Sequence, residues 1–231
     1  MGGDGSPHPP EVSRRALLGG AAACVLGAIG GAALGTRSVL GAPFALGEGQ
    51  PAPGGAAVGP AAATSGQGHH PPPVLHVATD QRVVALTFDD GPDPRFTPVV
   101  LDLLRRHGAG ATFFLVGVNA LGNRDLVARQ VDAGHGIANH TYDHVVLEGR
   151  GADEIRAELA MGTRAVRDAG AGSPVLFRPP KGLTDPAVAG AAGEQHLRTV
   201  LWTACVEHYV DHGDIAAGVE RLLGRVVPGA I

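Results

Sequence analysis

The chain of 231 residues carries 18 basic and 22 acidic side chains, a formal net charge of −4, so it has no basic field to draw nucleic acid or an anionic lipid surface. Hydrophobic residues make up 44%, but the first seventy positions are so rich in Ala and Gly that this overstates the core-forming content. The foldable part is shorter than the chain.

Residues 1–15 end in Ser13-Arg14-Arg15, and an uncharged Ala/Gly/Leu run follows from Ala16 to Thr36. Paired arginines just before a weakly apolar segment resemble a twin-arginine export signal. An uncleaved membrane anchor is the alternative, since the run is about long enough to span but its glycines make it a poor helix. Either reading, assigned to residues 1–40, puts the remainder outside the cytoplasm. Residues 41–73 offer almost no large apolar side chains to offset the entropy of ordering, and read as a disordered linker. The foldable domain is 74–231.

Arg82–Phe88, "RVVALTF", is a β-rich run that stops at Asp89-Asp90-Gly91-Pro92 and predicts a strand and turn. Thr97–His107 follows as a helix, with Val100, Leu103 and Leu104 at helical spacing, Pro98 near its start and Gly108 past its end. Ala111–Val116 is a second strand, Asn123 caps a helix running to Ala133, and Ile137-Ala138 centres a brief third strand leading into "NHTYDH". Asp153–Ala169 carries Ile155, Leu159, Gly162 and Val166 on one helical face, and Val175–Phe177 is a fourth strand entering "RPPKG". Asp185-Pro186 opens the next helix, Thr199–Trp202 is a fifth strand, and Asp214–Arg225 is a helix bearing Ile215, Val219, Leu222 and Leu223. The closing "GAI" reads as the start of a sixth strand. Strands alternating with helices predict a parallel sheet with right-handed crossovers, a barrel or a doubly wound sheet.

Each unusual polar cluster falls just after a strand, where a βα barrel gathers its active site. His140 and His144 are four apart, which on a helical turn puts both imidazoles on one side, at a spacing that can grip one metal ion. With a carboxylate from a neighbouring strand end they make a three-ligand set with a position open for water. Asp89 and Asp90 cannot both be ionised side by side and share one task; Asp90 as ligand and Asp89 as general base resolves this. A solvated His pair and a merely polar "DDGP" turn are the alternatives. Arg178 lies where a fixed charge could orient Asp89, and the prolines after it stiffen a backbone suited to an oxyanion.

"TFDDGP", "HTYDH" and "FRPPKG", in this order and at these intervals, resemble the polysaccharide deacetylase family, the NodB-homology carbohydrate esterases of family 4, over about Val83 to Ile231. The resemblance implies an α/β fold, a distorted (β/α) barrel, and an enzyme that removes N- or O-acetyl groups from cell-wall or chitin-type polysaccharide. It implies a divalent metal, zinc first with cobalt or nickel as alternatives, held by Asp90, His140 and His144. Asp89 would be the base acting on a water at the metal, and Arg178 would tune it. Lys181, stiffened by Pro180, would give its backbone N–H to the oxyanion, Thr141 would shape the metal loop, and Trp202 would wall the acetyl pocket.

Three departures stand out. Lys181 occupies a position where an aromatic residue is usual. Cys205 and His208 stand where the family carries aspartates. The sequence ends at "VVPGAI", before the family's last strand and helix and the His that protonates the leaving group, so the domain reads as C-terminally incomplete; an open, exposed edge and a loss of about 10²–10⁴ in rate are expected. His208 or His212 could substitute, but nothing in the sequence places either. The alternatives to a deacetylase are therefore a glycan-binding relic and a small-amide hydrolase. The expected partners are peptidoglycan or a chitin-like glycan and, in transit, the twin-arginine machinery, with no nucleic acid, for a monomer that is secreted or tethered.

Overall fold

The protein is described by a computed structural model for residues 71–207 and 212–231. The signal or anchor, nearly all of the linker, and His208 lie outside the described residues. Five parallel strands run in sequential order: β1 (Thr87–Phe88), β2 (Thr112–Leu115), β3 (Gly136–Asn139), β4 (Leu176–Phe177) and β5 (Arg198–Thr199). The intervening helices are α1 (Thr97–His107), α2 (Gly117–Gly122), α3 (Arg124–Asp132), α4 (Ala152–Val166) and α5 (Pro186–Glu194), followed by α6 (Ile215–Leu223). No helix among the described residues is long and apolar enough to cross a membrane.

The β2 sequence shows why a barrel forms. Phe113 and Leu115 pack outward with Leu101, Leu104 and Val127 of the helices, while Phe114 between them points to a second cluster with Ala138, Val200 and Ile231. Alternation of side chains along a strand does this sorting, and each buried Phe contributes about 2–3 kcal/mol. A third cluster joins Phe177 to Ile155 and Leu159 of α4 and Val188, Ala191 and Ala192 of α5.

The ring closes through two short segments. Val74 pairs in parallel with Val200 beyond β5, and His76 pairs antiparallel with Ala230. Ala85 N–H donates to Ala230 O and Gly229 N–H to Val83 O, each at 2.8 Å, tying the last residues to the approach of β1. The predicted sixth strand is thus a single bridge at Ala230 flanked by the backbone bonds of Gly229 and Ile231, and the expected open edge is covered: Ala230 and Ile231 are buried.

Several expectations shift in detail. Val83 and Ala85 bond to Gly229 and Ala230 rather than to β2, so β1 is short. Helix α1 has the predicted bounds and a left-handed Gly108 cap (φ 59°), yet it buries Leu101 and Leu104 and leaves Leu103 exposed. Asn123 does not cap α3 with its side chain; it ends the unforeseen α2 and donates through Nδ2 to Asn119 O at 2.9 Å. Asp185 and Asp214 do cap, accepting from Val188 N–H at 2.9 Å and Ala217 N–H at 3.1 Å. Helix α4 runs on into a π turn at Arg167–Ala171. On α6 only Leu222 of the predicted apolar four is buried; Ile215, Val219 and Leu223 are exposed.

Candidate metal centre

The polar clusters at the ends of β1, β3 and β4 converge. His140 Nε2 and His144 Nε2 lie 3.2 and 3.0 Å from Asp90 Oδ1, and one ligand atom from each residue falls within 4.8 Å of the other two. His140 is 2% exposed, at the core end of the cleft, while His144 is at its mouth. The pair does not sit on a helical turn as the spacing suggests. Residues 140–144 form a loop in which Thr141 (φ 67°) and His144 (φ 57°) take left-handed backbone, as do Asp90 (φ 68°) and Lys181 (φ 59°). Four non-glycine residues in that region, all around one centre, need surrounding structure to hold them.

Helix α4 and β3 supply the hold. The buried Asn139 side chain accepts from Thr141 N–H at 2.7 Å and donates from Nδ2 to Leu159 O and Thr163 Oγ1, both at 2.9 Å. Glu158 Oε2 accepts from the Tyr142 and Asp143 N–H groups, each at 3.1 Å. Gly162 lets the helix approach: a Cβ there would stand 2.6 Å from Asn139 Oδ1 and 2.9 Å from the Thr141 carbonyl. Asn119 Nδ2 donates to Asp90 O at 2.9 Å, bracing Asp90 from the other side. Sequence reasoning missed Asn119, Asn139 and Glu158. The available signal for Glu158 was a carboxylate inside the apolar face that runs Ile155, Leu159, Gly162.

Arg178 is 1% exposed and fully engaged. Its Nη1 donates to Asp89 Oδ1 at 2.7 Å and Thr87 Oγ1 at 3.0 Å, Nη2 to Leu201 O at 2.8 Å and Nε to Val200 O at 3.2 Å. Its guanidinium carbon stands 4.1 Å from the Phe114 ring centre and 5.5 Å from that of Trp202. Burial pulls the Arg178 pKa below its ordinary value, and the Asp89 carboxylate works against this. The turn Pro180–Gly182 follows directly, with Pro180 buried, Lys181 exposed and Gly182 against the Trp202 ring. The predicted residues Thr141, Pro180, Lys181 and Trp202 therefore all lie in the loops that follow β3, β4 and β5; His212 is exposed and outside the ligand cluster.

The donor set fits a metal ion. His140 Nδ1 is 2.7 Å from the Arg178 carbonyl oxygen, which can only accept, so Nδ1 carries the proton. With Nδ1 as the donor, Nε2 of a neutral imidazole would present its lone pair to Asp90 Oδ1, acceptor against acceptor. Asp90 Oδ1 is buried and has no hydrogen bond of acceptable geometry. Burial works to raise the Asp90 carboxyl, yet its contacts with the two imidazoles opposite hold it well below the usual carboxylate range. The Asp90 carboxylate in turn raises His144, against desolvation and the charge of Lys181. A cation between the three atoms meets the need for positive charge and gives both lone pairs a partner.

A family model described as polysaccharide deacetylase matches residues 76–200. A peptidoglycan-N-acetylglucosamine deacetylase of Bacillus cereus is 38% identical over 155 residues, 67% of this chain and 70% of that protein. Another such deacetylase, from Listeria monocytogenes, is 34% identical over 160 residues, 69% of this chain, and the match spans 33% of that protein's length. Among solved structures, a carbohydrate esterase family 4 pseudoenzyme from Bacillus anthracis aligns with a TM-score of 0.65 at 27% identity, over 70% of this chain and 57% of that one. The parallel barrel, the clustered Asp and His residues at its strand ends and these matches lead to one assignment: the chain belongs to the polysaccharide deacetylase family.

Proposed function

We propose that this protein is a metal-dependent hydrolase that removes acetyl groups from N- or O-acetylated cell-wall or chitin-type polysaccharide. One juxtaposition carries the reading: a carboxylate fixed by a buried arginine, Asp89 with Arg178 at 2.7 Å, beside the Asp90, His140 and His144 cluster. Those three residues would hold a divalent ion, zinc first with cobalt or nickel as alternatives. Such an ion supplies Lewis acidity at the acetyl carbonyl and makes a water easier to deprotonate.

The chain's own groups do the rest in this reading. Arg178 donates to Asp89 Oδ1 and fixes the carboxylate, so Oδ2 is the oxygen that takes the proton of the attacking water. Lys181 N–H, held by the turn after Pro180, serves the developing oxyanion. Thr141 fixes the spacing of the two His ligands, and Trp202 borders the acetyl group. The named activities of the B. cereus and L. monocytogenes proteins favour peptidoglycan as the glycan, and a chitooligosaccharide deacetylase of Sinorhizobium fredii, 38% identical over 149 residues, supports a chitin-like alternative. The export-like N-terminus supports an extracytoplasmic protein, secreted or tethered, delivered by the twin-arginine machinery and acting as a monomer.

The test is acetate release from acetylated chito-oligomers and from peptidoglycan, with bound metal measured on the same samples. Turnover that requires metal and vanishes in Asp89→Asn is the expected result; turnover that survives Asp89→Asn overturns the assignment of the base. A second reading, a glycan-binding protein without turnover, is favoured by the likeness to a pseudoenzyme. Metal and glycan binding with no acetate released would establish it.

A further inference from the structure

Lys181 is the only lysine in the chain; every other basic side chain is an arginine. It stands at the middle of the Pro180–Gly182 turn, three residues after Arg178, with left-handed backbone. The turn is fixed on both sides. Pro180 before it is buried, and Gly182 after it packs so closely on Trp202 that a Cβ would come 2.6 Å from the indole. The exposed side chain of Lys181 is thus rooted on the wall of the metal cleft, beside the ring that borders it, and its charge is among those acting on His144.

The carboxylates around it are spoken for. Asp89 bonds to Arg178, Asp90 faces the two imidazoles, Glu158 accepts two loop amides, and Asp185 accepts from Gly149 and Val188 N–H. Asp143, exposed in the metal loop, forms no ion pair with Lys181, and neither does any other acid among the described residues. Trp202 is the ring packed against the Lys181 turn, while Phe88, Phe113, Phe114 and Phe177 are buried. An acidic substituent on a sugar chain finds at this wall a cation with no ion pair among the described residues.

We infer that Lys181 is a specificity determinant whose ammonium takes a carboxylate borne by the glycan, so that the substrate class is an acetylated polysaccharide with acidic substituents rather than a neutral chitin-type chain. This rests on the deacetylase reading above. Peptidoglycan strands, whose alternate sugars carry a lactyl carboxylate when not joined to peptide, have this chemistry. The contact is one of substrate selection, so it changes relative affinity and kcat/KM between glycans and leaves metal content alone.

The experiment compares two acetylated tetrasaccharides of equal length, one of N-acetylglucosamine alone and one in which alternate sugars carry a 3-O-lactyl carboxylate. Both kcat/KM on the full metal-loaded chain and Kd on its Asp89→Asn form are measured, each expressed as the ratio of acidic to neutral glycan. Lys181→Gln should lower both ratios roughly fivefold, the scale of a solvent-exposed ion pair, and Lys181→Arg should keep them. Raising the salt to about 0.5 M should erase the preference in the parent and change nothing in Lys181→Gln. Ratios that do not respond to Lys181→Gln, with melting temperature and metal content unchanged, would overturn the inference. Absence of acetate from either glycan would defeat the hydrolase reading instead, and the Kd ratio would still decide the role of Lys181.

Discussion

Arg178 is the residue on which the centre turns, because one guanidinium both fixes Asp89 and ties the ends of three strands together. Its Nη and Nε groups reach a carboxylate, a hydroxyl and two carbonyls, a geometry that lysine, a point charge on a flexible stem, cannot copy. Arg178→Ala would leave Asp89 without its partner and three buried acceptors unpaired. We expect a loss of about 3–5 kcal/mol in chemical denaturation and near-complete loss of acetate release, with Arg178→Lys losing most of both. A second prediction at this scale concerns pH. Metal binding needs neutral imidazoles, and His144 is raised by Asp90, so its proton competes with the metal at higher pH than an ordinary histidine would. Asp90, held low, stays ionised throughout. Metal affinity should therefore fall as pH drops from about 8 to about 5, read by titration of the metal-free protein; a flat affinity would mean that the imidazoles are not ligands. These residues were legible in the sequence because each is a chemically unusual group at a strand end. Their conformation was not: the His140 and His144 spacing suits a helix, and only the buried anchors Asn139 and Glu158 reveal that a left-handed loop does the same work.

At the scale of elements, α4 is the part that makes the loop rigid. Its apolar face was readable from the period of Ile155, Leu159, Gly162 and Val166, and all four are buried. What the period could not convey is that the same face presents a carboxylate and a gap to the metal loop. Glu158→Ala removes the acceptor of two amides, so metal affinity should fall about 10–100-fold while the helix itself survives; Glu158→Gln, which keeps one oxygen, should restore much of it. Measured metal Kd alongside melting temperature separates the two effects, and an unchanged Kd in Glu158→Ala would deny the anchoring role. Gly162→Ala is the steric counterpart. The added methyl meets backbone at Thr141 as well as Asn139, so no rotamer relieves it, and the helix must withdraw at a cost of about 1–3 kcal/mol. Helix α2 went unseen because Gly117–Gly122 has too few large apolar residues to show a period; it forms where Gly117 and Val118 N–H find the Thr141 and Tyr142 carbonyls, a tertiary cause invisible in a local window.

Across the whole molecule, five strands of two to four residues do not make a sheet by themselves; the barrel depends on how its first and last strands are joined. The strand order and the helical layer follow from alternating patterns that any reader of the sequence can find. Closure does not, since it relies on two single bridges between segments more than a hundred residues apart, Val74 with Val200 and His76 with Ala230, and on the bond from Thr203 N–H to Ile231 O at 2.8 Å. Gly229 is the position where this closure is most exposed to test. It holds φ 81° and accepts from Val77 N–H at 2.8 Å, and an added Cβ would overlap the Val77 carbonyl. Gly229→Ala should therefore cost about 2–4 kcal/mol, through both the left-handed backbone and the clash, and should speed hydrogen exchange at Val77, Ala85 and Thr203 together. Gly224 is the matched control. Its backbone is right-handed (φ −67°) and a Cβ there meets the Glu220 and Arg221 carbonyls at ordinary contact distance, so Gly224→Ala should be neutral or stabilising by about 0.5 kcal/mol. If the two variants unfold at the same denaturant concentration, the segment at 229–231 does not close the ring. If Gly229→Ala alone loses stability, and metal affinity falls with it, the loops that carry Asp90 and Trp202 depend on that closure for their places around the centre.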